Sequence, residues 1–246
     1  MKTRLDIACV ERKLFESRKK AQGSIMAGLV KINGVIADKA GRPVKDEDTI
    51  EIIKPLCPYV SRGGLKLKGA LNEFNIKVKD KICADIGVAT GGFSDCFLQE
   101  GAKLVHGVDV GEGQIHEKIK DNPSFNFIPQ TNARFLTPEH FNVLPEVIAI
   151  DISFISLKLI LGPVFNSSAK HSDIIALIKP QFELEKRDLK HGIVKSEEIR
   201  FKAVELMRDF IKENYPAIKE MGLVDSSIKG AKGNLEFLLH LRKGYE

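Results

Sequence analysis

A chain of 246 residues is longer than one average core requires and fits a small module joined to a full α/β domain. With 43% hydrophobic and 29% charged residues it has the make-up of a packed globular protein, which excludes a disordered chain. Its net charge of +5 is concentrated early: residues 1–55 hold twelve Lys/Arg against eight Asp/Glu. No apolar run reaches the roughly 18–20 residues of a membrane span, and Met1-Lys2-Thr3-Arg4-Leu5-Asp6 lacks the apolar stretch of a secretory leader, so a cytoplasmic protein is expected. Cys9, Cys57, Cys83 and Cys96 show no C-x-x-C spacing and sit among apolar residues. They read as buried thiols, with no metal and no disulfide.

In chain order, residues 4–15 carry apolar positions at helical spacing that slips before Leu14, and Ser17 offers an N-cap for a second helix burying Ala21, Ile25, Met26 and Leu29. Gly28 marks that helix's end. Residues 30–36 alternate around Asn33-Gly34, the pair that favours a two-residue hairpin turn, and Val44 and 49–53 add strand material. Pro55 and Pro58 then interrupt both periodicities, which places a small domain at 1–55 and a linker at 56–62. Arg12, Lys13, Arg18, Lys19 and Lys20 crowd into nine positions, a pattern that suits either phosphate contact or a solvated helix face.

The larger domain, 63–246, opens with a buried strand over 82–87 and a glycine-rich turn, Val88 to Phe93, that enters a helix over 94–99. Glycine lets a ligand approach the backbone with no Cβ in the way. Residues 104–109 form the next strand and end in Asp109, 18 positions after Gly91, where a carboxylate accepts the ribose hydroxyls of an adenosine. The spacing G-x-x-x-G-G-F is not the G-x-G-x-x-G that cradles a pyrophosphate, and no G-K-[ST] follows. Dinucleotide and P-loop readings are therefore disfavoured.

Residues 147–157 read as a buried parallel strand delivering Asp151, and 174–178 as another delivering Lys179 at the same sheet edge. By themselves the two charges suit a reaction site or a structural ion pair. A helix over 196–213 and two final strands at 222–226 and 235–241 complete an expected α/β sheet of about seven strands with an antiparallel closing pair. Glu236 falls within the last alternation. Phe93 suits stacking or the core, and Glu183 and His191 receive no chemistry.

Two resemblances sharpen these expectations. R-L-D at 4–6, S-R-x-x-A at 17–21, A-G-L-V-K-I-N-G at 27–34 and D-T-I-E-I-I at 48–53 resemble the S4-type RNA-binding domain, a small α+β fold. That implies RNA contacts at Arg4, Arg18, Lys19 and Lys31. S-R-G-G-L-K-L at 61–67, D-I-G-V-A-T-G-G-F at 85–93, D-I-S-F-I-S-L at 151–157, K-P-Q-F-E at 179–183 and G-N-L-E-F at 233–237 resemble the TlyA group of FtsJ-type ribosomal RNA methyltransferases. The resemblance implies a Rossmann-like methyltransferase sheet and 2′-O-methylation of cytidine in ribosomal RNA. It also implies a Lys66, Asp151, Lys179, Glu236 catalytic set.

For the cofactor, S-adenosyl-L-methionine, it implies Asp85, Gly87, Thr90, Gly91, Gly92, Phe93, Asp109, Asn132 and Ala133 as the binding residues. Arg62 and Arg134 join the RNA contacts, and the ribosome or its RNA, the large subunit first, is the implied partner. Ala89 departs from the family's usual G-x-S-T-G-G-F by lacking a hydroxyl. The rival readings are a catalytically inactive ribosome-assembly factor and, because some relatives carry haemolysin names, a membrane-active protein. The second lacks the apolar span or basic amphipathic helix that it would need.

Overall fold

The computed structural model describes residues 2–26, 28–53, 57–112, 114–230 and 233–244, so Pro55 of the expected linker lies outside the described residues. The chain divides into two compact units, Met1–Pro58 and Tyr59–Glu246.

The first unit runs β1 (Lys2–Arg4), α1 (Leu5–Glu11), α2 (Arg18–Met26), β2 (Val30–Ile32), β3 (Val35–Ala37), β4 (Pro43–Lys45) and β5 (Ile50–Ile52). The strands pair as β3-β2-β5 and β1-β4, all antiparallel. Asn33 and Gly34 take φ of +50° and +80°, as a two-residue hairpin turn demands. Ser17 caps α2 by accepting from Lys20 N.

Two features were not anticipated. β1 forms from the first residues, and α1 stops at Glu11 instead of continuing to Phe15. Lys13 takes φ +57°, so Leu14 and Phe15 fold back to donate to the Cys9 carbonyl; the slipped apolar spacing before Leu14 was the trace of this break. Leu5, Cys9, Ala21, Ile25 and Val30 build the small core, and Asp6 is buried beside it. Asp6 accepts from Arg4 Nε at 3.1 Å, Arg18 Nε at 2.9 Å and Gln22 Nε2 at 2.7 Å. The Arg4 guanidinium bound to it holds its carboxyl well below the usual range.

The second unit contains α3 (Gly63–Glu73), β6 (Ile82–Ile86), α4 (Gly92–Gln99), β7 (Leu104–Val108), α5 (Glu117–Lys120), β8 (Phe125–Ile128) and β9 (Val147–Ile150). It continues with α6 (Leu161–Asn166), β10 (Ser172–Ile178), α7 (Pro180–Glu183), α8 (Glu197–Asn214), β11 (Ile218–Asp225) and β12 (Phe237–Lys243). Seven strands lie in the order β11-β12-β10-β9-β6-β7-β8. β10, β9, β6, β7 and β8 run parallel, while β12 is antiparallel to both β10 and β11.

The strands alternate between two apolar layers, as the two-residue period requires. Ile148, Ile150, Ile174 and Ala176 face one side with Val204 and Met207 of α8; Val147, Ala149, Ile175 and Leu177 face the other with Leu67 of α3 and Phe97 of α4. Strand order reverses between β6 and β9, so the carboxyl ends of these strands bound the crevice where open α/β sheets bind ligands.

Several sequence expectations need correction here. The run over 147–157 is not one strand: β9 ends at Ile150, Asp151 follows it, and Phe154 takes φ +68°. Glu236 lies just before β12, not inside a strand. α3 was missed because its start is Gly63-Gly64, poor helix formers. Gly64 is required there all the same, since a Cβ would overlap the Tyr59 ring. Cys57 is exposed, unlike the buried Cys9, Cys83 and Cys96.

Candidate active site

β6 leads straight into the glycine-rich turn. Gly87 takes φ +94°, and a Cβ there would stand 2.6 Å from the Asp151 carbonyl oxygen, so only glycine lets the β6 and β9 ends approach this closely. Gly91, at φ +91°, forms the N-cap of α4. Ala89, without the family's hydroxyl, takes φ +48° and donates its N–H to Asp109 Oδ2 at 2.9 Å. Gly111 N holds Asp109 Oδ1 at 2.8 Å, which fixes this carboxylate at the β7 end beside the turn.

Asp85 is 1% exposed. Its Oδ2 accepts from Ser94 N at 2.8 Å and Ser94 Oγ at 2.7 Å, while Oδ1 has no partner among the described residues. Burial, with the Asp151 and Asp109 carboxylates adding to it, pushes the carboxyl up to about 7.

Two ion pairs border the same cavity as this turn, one buried and one between a buried lysine and a half-buried carboxylate. Lys66 Nζ lies 2.5 Å from Glu236 Oε2, and Lys179 Nζ lies 2.6 Å from Asp151 Oδ1. Lys179 also donates to Ser153 Oγ at 2.7 Å. All four residues line one cavity of about 580 Å³, together with Asp85, Gly87, Thr90, Gly92 and Phe93. Phe93 packs in the apolar layer and also borders the cavity. Gly230 leaves room for Glu236, because a Cβ there would overlap the carboxylate.

Other candidates fall elsewhere. Gly91, Asp109, Asn132 and Ala133 do not line this cavity. Asn132 caps a short turn by accepting from Arg134 N, and Ala133 is buried in the core. Arg134 is exposed, with its guanidinium 5.8 Å from the Phe135 ring centroid. Arg62 is exposed at the α3 start. In the first unit Lys19 is exposed and Lys31 half-buried, while Arg4 and Arg18, both half-exposed, are partly committed to Asp6.

Sequence reasoning missed Ser153, Phe154, Asn234 and Glu183. Glu183 accepts from Ser156 Oγ and from Leu157 N at 2.9 Å, so it pins the loop that follows Asp151. Burial pushes its carboxyl up. The signal for Ser153 and Phe154 was present in the D-I-S-F-I-S-L run but was read as strand.

Comparison with known proteins decides the family. FtsJ-like methyltransferase matches residues 59–243, and the S4 domain matches residues 3–50. The chain belongs to the FtsJ-like methyltransferase family. This methyltransferase is 44% identical over 242 residues to a provisionally named rRNA methyltransferase, YqxC, of Bacillus subtilis, covering 98% of this chain and 85% of that one. It is 35% identical over 243 residues to the 16S/23S rRNA (cytidine-2′-O)-methyltransferase TlyA of Mycobacterium tuberculosis, covering 98% and 90%. A solved Streptococcus thermophilus structure, provisionally named a haemolysin, superposes with a TM-score of 0.77 at 41% identity, covering 98% and 88%. The expected methyltransferase sheet and S4-type module are borne out. Among the described residues no helix is long and apolar enough to cross a membrane.

Proposed function

We propose that this protein methylates the 2′-hydroxyl of cytidine in ribosomal RNA, with S-adenosylmethionine as methyl donor and Lys66, Asp151, Lys179 and Glu236 as the reacting set. The observation that carries the reading is the pair of lysine–carboxylate bridges, both lysines buried, lining one cavity with the glycine-rich turn. The two rRNA methyltransferase relatives support the substrate class. Action on ribosomal RNA supports a cytoplasmic location.

The turn fits the donor. Asp85 borders the cavity and its buried Oδ1 has no partner among the described residues, which suits the donor's ammonium, and Asp109 suits the ribose hydroxyls. When bound, S-adenosylmethionine supplies a methyl group already activated by its positive sulfur. The protein's task is to position a weakly acidic hydroxyl and to manage its proton. An ammonium has three N–H donors; Lys179 uses two on Asp151 and Ser153, leaving one for the substrate oxygen. As the oxygen takes the methyl group, its proton passes to the Asp151 carboxylate, which Lys179 holds in place. Lys66, held by Glu236, adds positive charge at the same cavity and stabilises developing negative charge on the oxygen.

The test is mass-spectrometric mapping of 2′-O-methylcytidine in ribosomal RNA from cells with and without the protein. Cytidine methylation that depends on it is the expected result; identical maps would revive the binding-factor reading.

Donor affinity carries a second expectation. The ammonium is held by the ionised form of Asp85, whose carboxyl is pushed up to about 7. Calorimetric affinity for S-adenosylmethionine therefore rises by up to about tenfold per pH unit between about pH 5.5 and about pH 7, then levels. In the donor-free protein the sign is opposite. Stability tied to a neutral Asp85 is full below about pH 4 and is lost as pH rises through about 7. Asp85→Asn should weaken binding and flatten its pH profile; a wild-type profile in that variant would remove Asp85 from the donor site.

A further inference from the structure

Residues 190–193 make a tight hairpin turn that the reaction chemistry leaves unused. Lys190 N donates to Ile193 O at 3.0 Å and Ile193 N to Lys190 O at 3.1 Å, with His191 at φ +55° and Gly192 at +79°. Asn234, 3% exposed, clamps this turn: its Oδ1 accepts from Val194 N at 3.1 Å and its Nδ2 donates to Gly192 O at 3.0 Å. The Asn234 carbonyl also accepts from Gly230 N at 2.8 Å, which ties the hairpin to the turn preceding Glu236. Leu189, Gly192 and Gly230 all border the catalytic cavity, so the clamped pair of turns forms part of its mouth.

Charge at this mouth is unbalanced. Lys190, Lys195 and Lys229 are exposed and have no ion pair among the described residues. Nearby Arg187 and Lys202 are paired, with Glu185 and Asp188. Inside the cavity both lysines are likewise neutralised by carboxylates. The lysines that line the cavity are thus paired, whereas Lys190, Lys195 and Lys229, in or next to the clamped turns, have no ion pair among the described residues.

We propose that Lys190, Lys195 and Lys229 form a phosphate-binding lip that holds the RNA backbone at the catalytic mouth. The proposal rests on the RNA methyltransferase reading of the same cavity. A ribose entering the cavity brings a phosphate on each side of it to the rim, where point-charge lysines release counterions on contact. The Asn234 clamp lowers the ordering cost of that contact because the turn is fixed beforehand.

The test uses the full chain, wild type and the triple variant Lys190→Gln, Lys195→Gln, Lys229→Gln, in fluorescence anisotropy. The probe is a fluorescein-labelled single-stranded RNA oligonucleotide containing cytidine, titrated over a range of potassium chloride. Each lost phosphate contact lowers the slope of log affinity against log salt by about 0.7. The expected result is a slope lower by about 2, with RNA affinity at low salt reduced by at least roughly tenfold. Calorimetric affinity for S-adenosylmethionine stays within about twofold, which shows an intact fold. Equal slopes and affinities in the two proteins would overturn the lip. If the wild type transfers no methyl group yet the slope difference persists, the lip stands and the reaction reading falls.

Discussion

Lys179→Met lowers the rate of RNA methylation by about 10³-fold while leaving S-adenosylmethionine affinity within a few-fold of wild type. The prediction follows from the bonds around Nζ. Lys179 is 7% exposed and fixed between Asp151 and Ser153, so its remaining donor is presented in one direction without further ordering. Methionine keeps most of the stem's volume and removes every donor, leaving Asp151 without its cation. Loss of proton handling should therefore appear in kcat, and the glycine-rich turn should still bind donor. Single-turnover methylation alongside calorimetry separates the two. A variant with full single-turnover rate would exclude Lys179 from the reaction. The partner bridge supplies a control, since Glu236→Gln keeps the shape around Lys66 but removes its counter-charge.

Phe154→Ala should lower kcat/KM for RNA by roughly 10–100-fold, the range expected on losing one aromatic–base stack. Phe154 is 91% exposed, sits at φ +68°, and borders the cavity. A bulky residue in that backbone region costs about 1–3 kcal/mol, and exposure of the ring to water returns nothing to stability. Glu183, by holding Ser156 and Leu157, maintains the loop in this form, and the Phe182 ring stands 5.3 Å from that of Phe154. The result is a firm aromatic face bordering the cavity, available to stack on a base if the proposed reaction brings a cytidine ribose inside. Phe154→Trp should retain most of the activity, and the thermal midpoint of Phe154→Ala should match wild type. An unchanged kcat/KM in the alanine variant would remove the base from this surface.

The parallel part of the sheet was legible because its strands are continuous apolar runs, and the Asn33-Gly34 turn because its chemistry is local. The break after Glu11 was legible only as a slip in spacing. α3 was hidden because Gly63-Gly64 answers to packing against Tyr59, a requirement that no local pattern displays. Residues 151–157 misled in the opposite way. Their alternation suits a strand, yet Glu183, more than 25 positions away, holds Ser156 and Leu157 in a loop. The same limit explains Asn234, whose amide joins segments about 40 positions apart. Lys66 and Glu236 could be named from the family's motifs, but that they meet at 2.5 Å across 170 positions is a property of the assembled sheet.

β12 lies between β10 and β11 although it follows both in the chain. During synthesis the chain emerges from its N-terminal end, so β11 has no partner strand until β12 has been made. Glu236, which immediately precedes β12, reaches Lys66 only through that insertion. A nascent chain stopped before residue 236 can therefore have its S4 domain, its glycine-rich turn and the Asp151–Lys179 pair in place while Lys66 still lacks its carboxylate. The Lys66–Glu236 bridge thus forms only after residue 236 has been made, later in synthesis than the RNA-binding module. The S4 domain can therefore stand complete while the bridge that the proposed reaction calls on is still unmade.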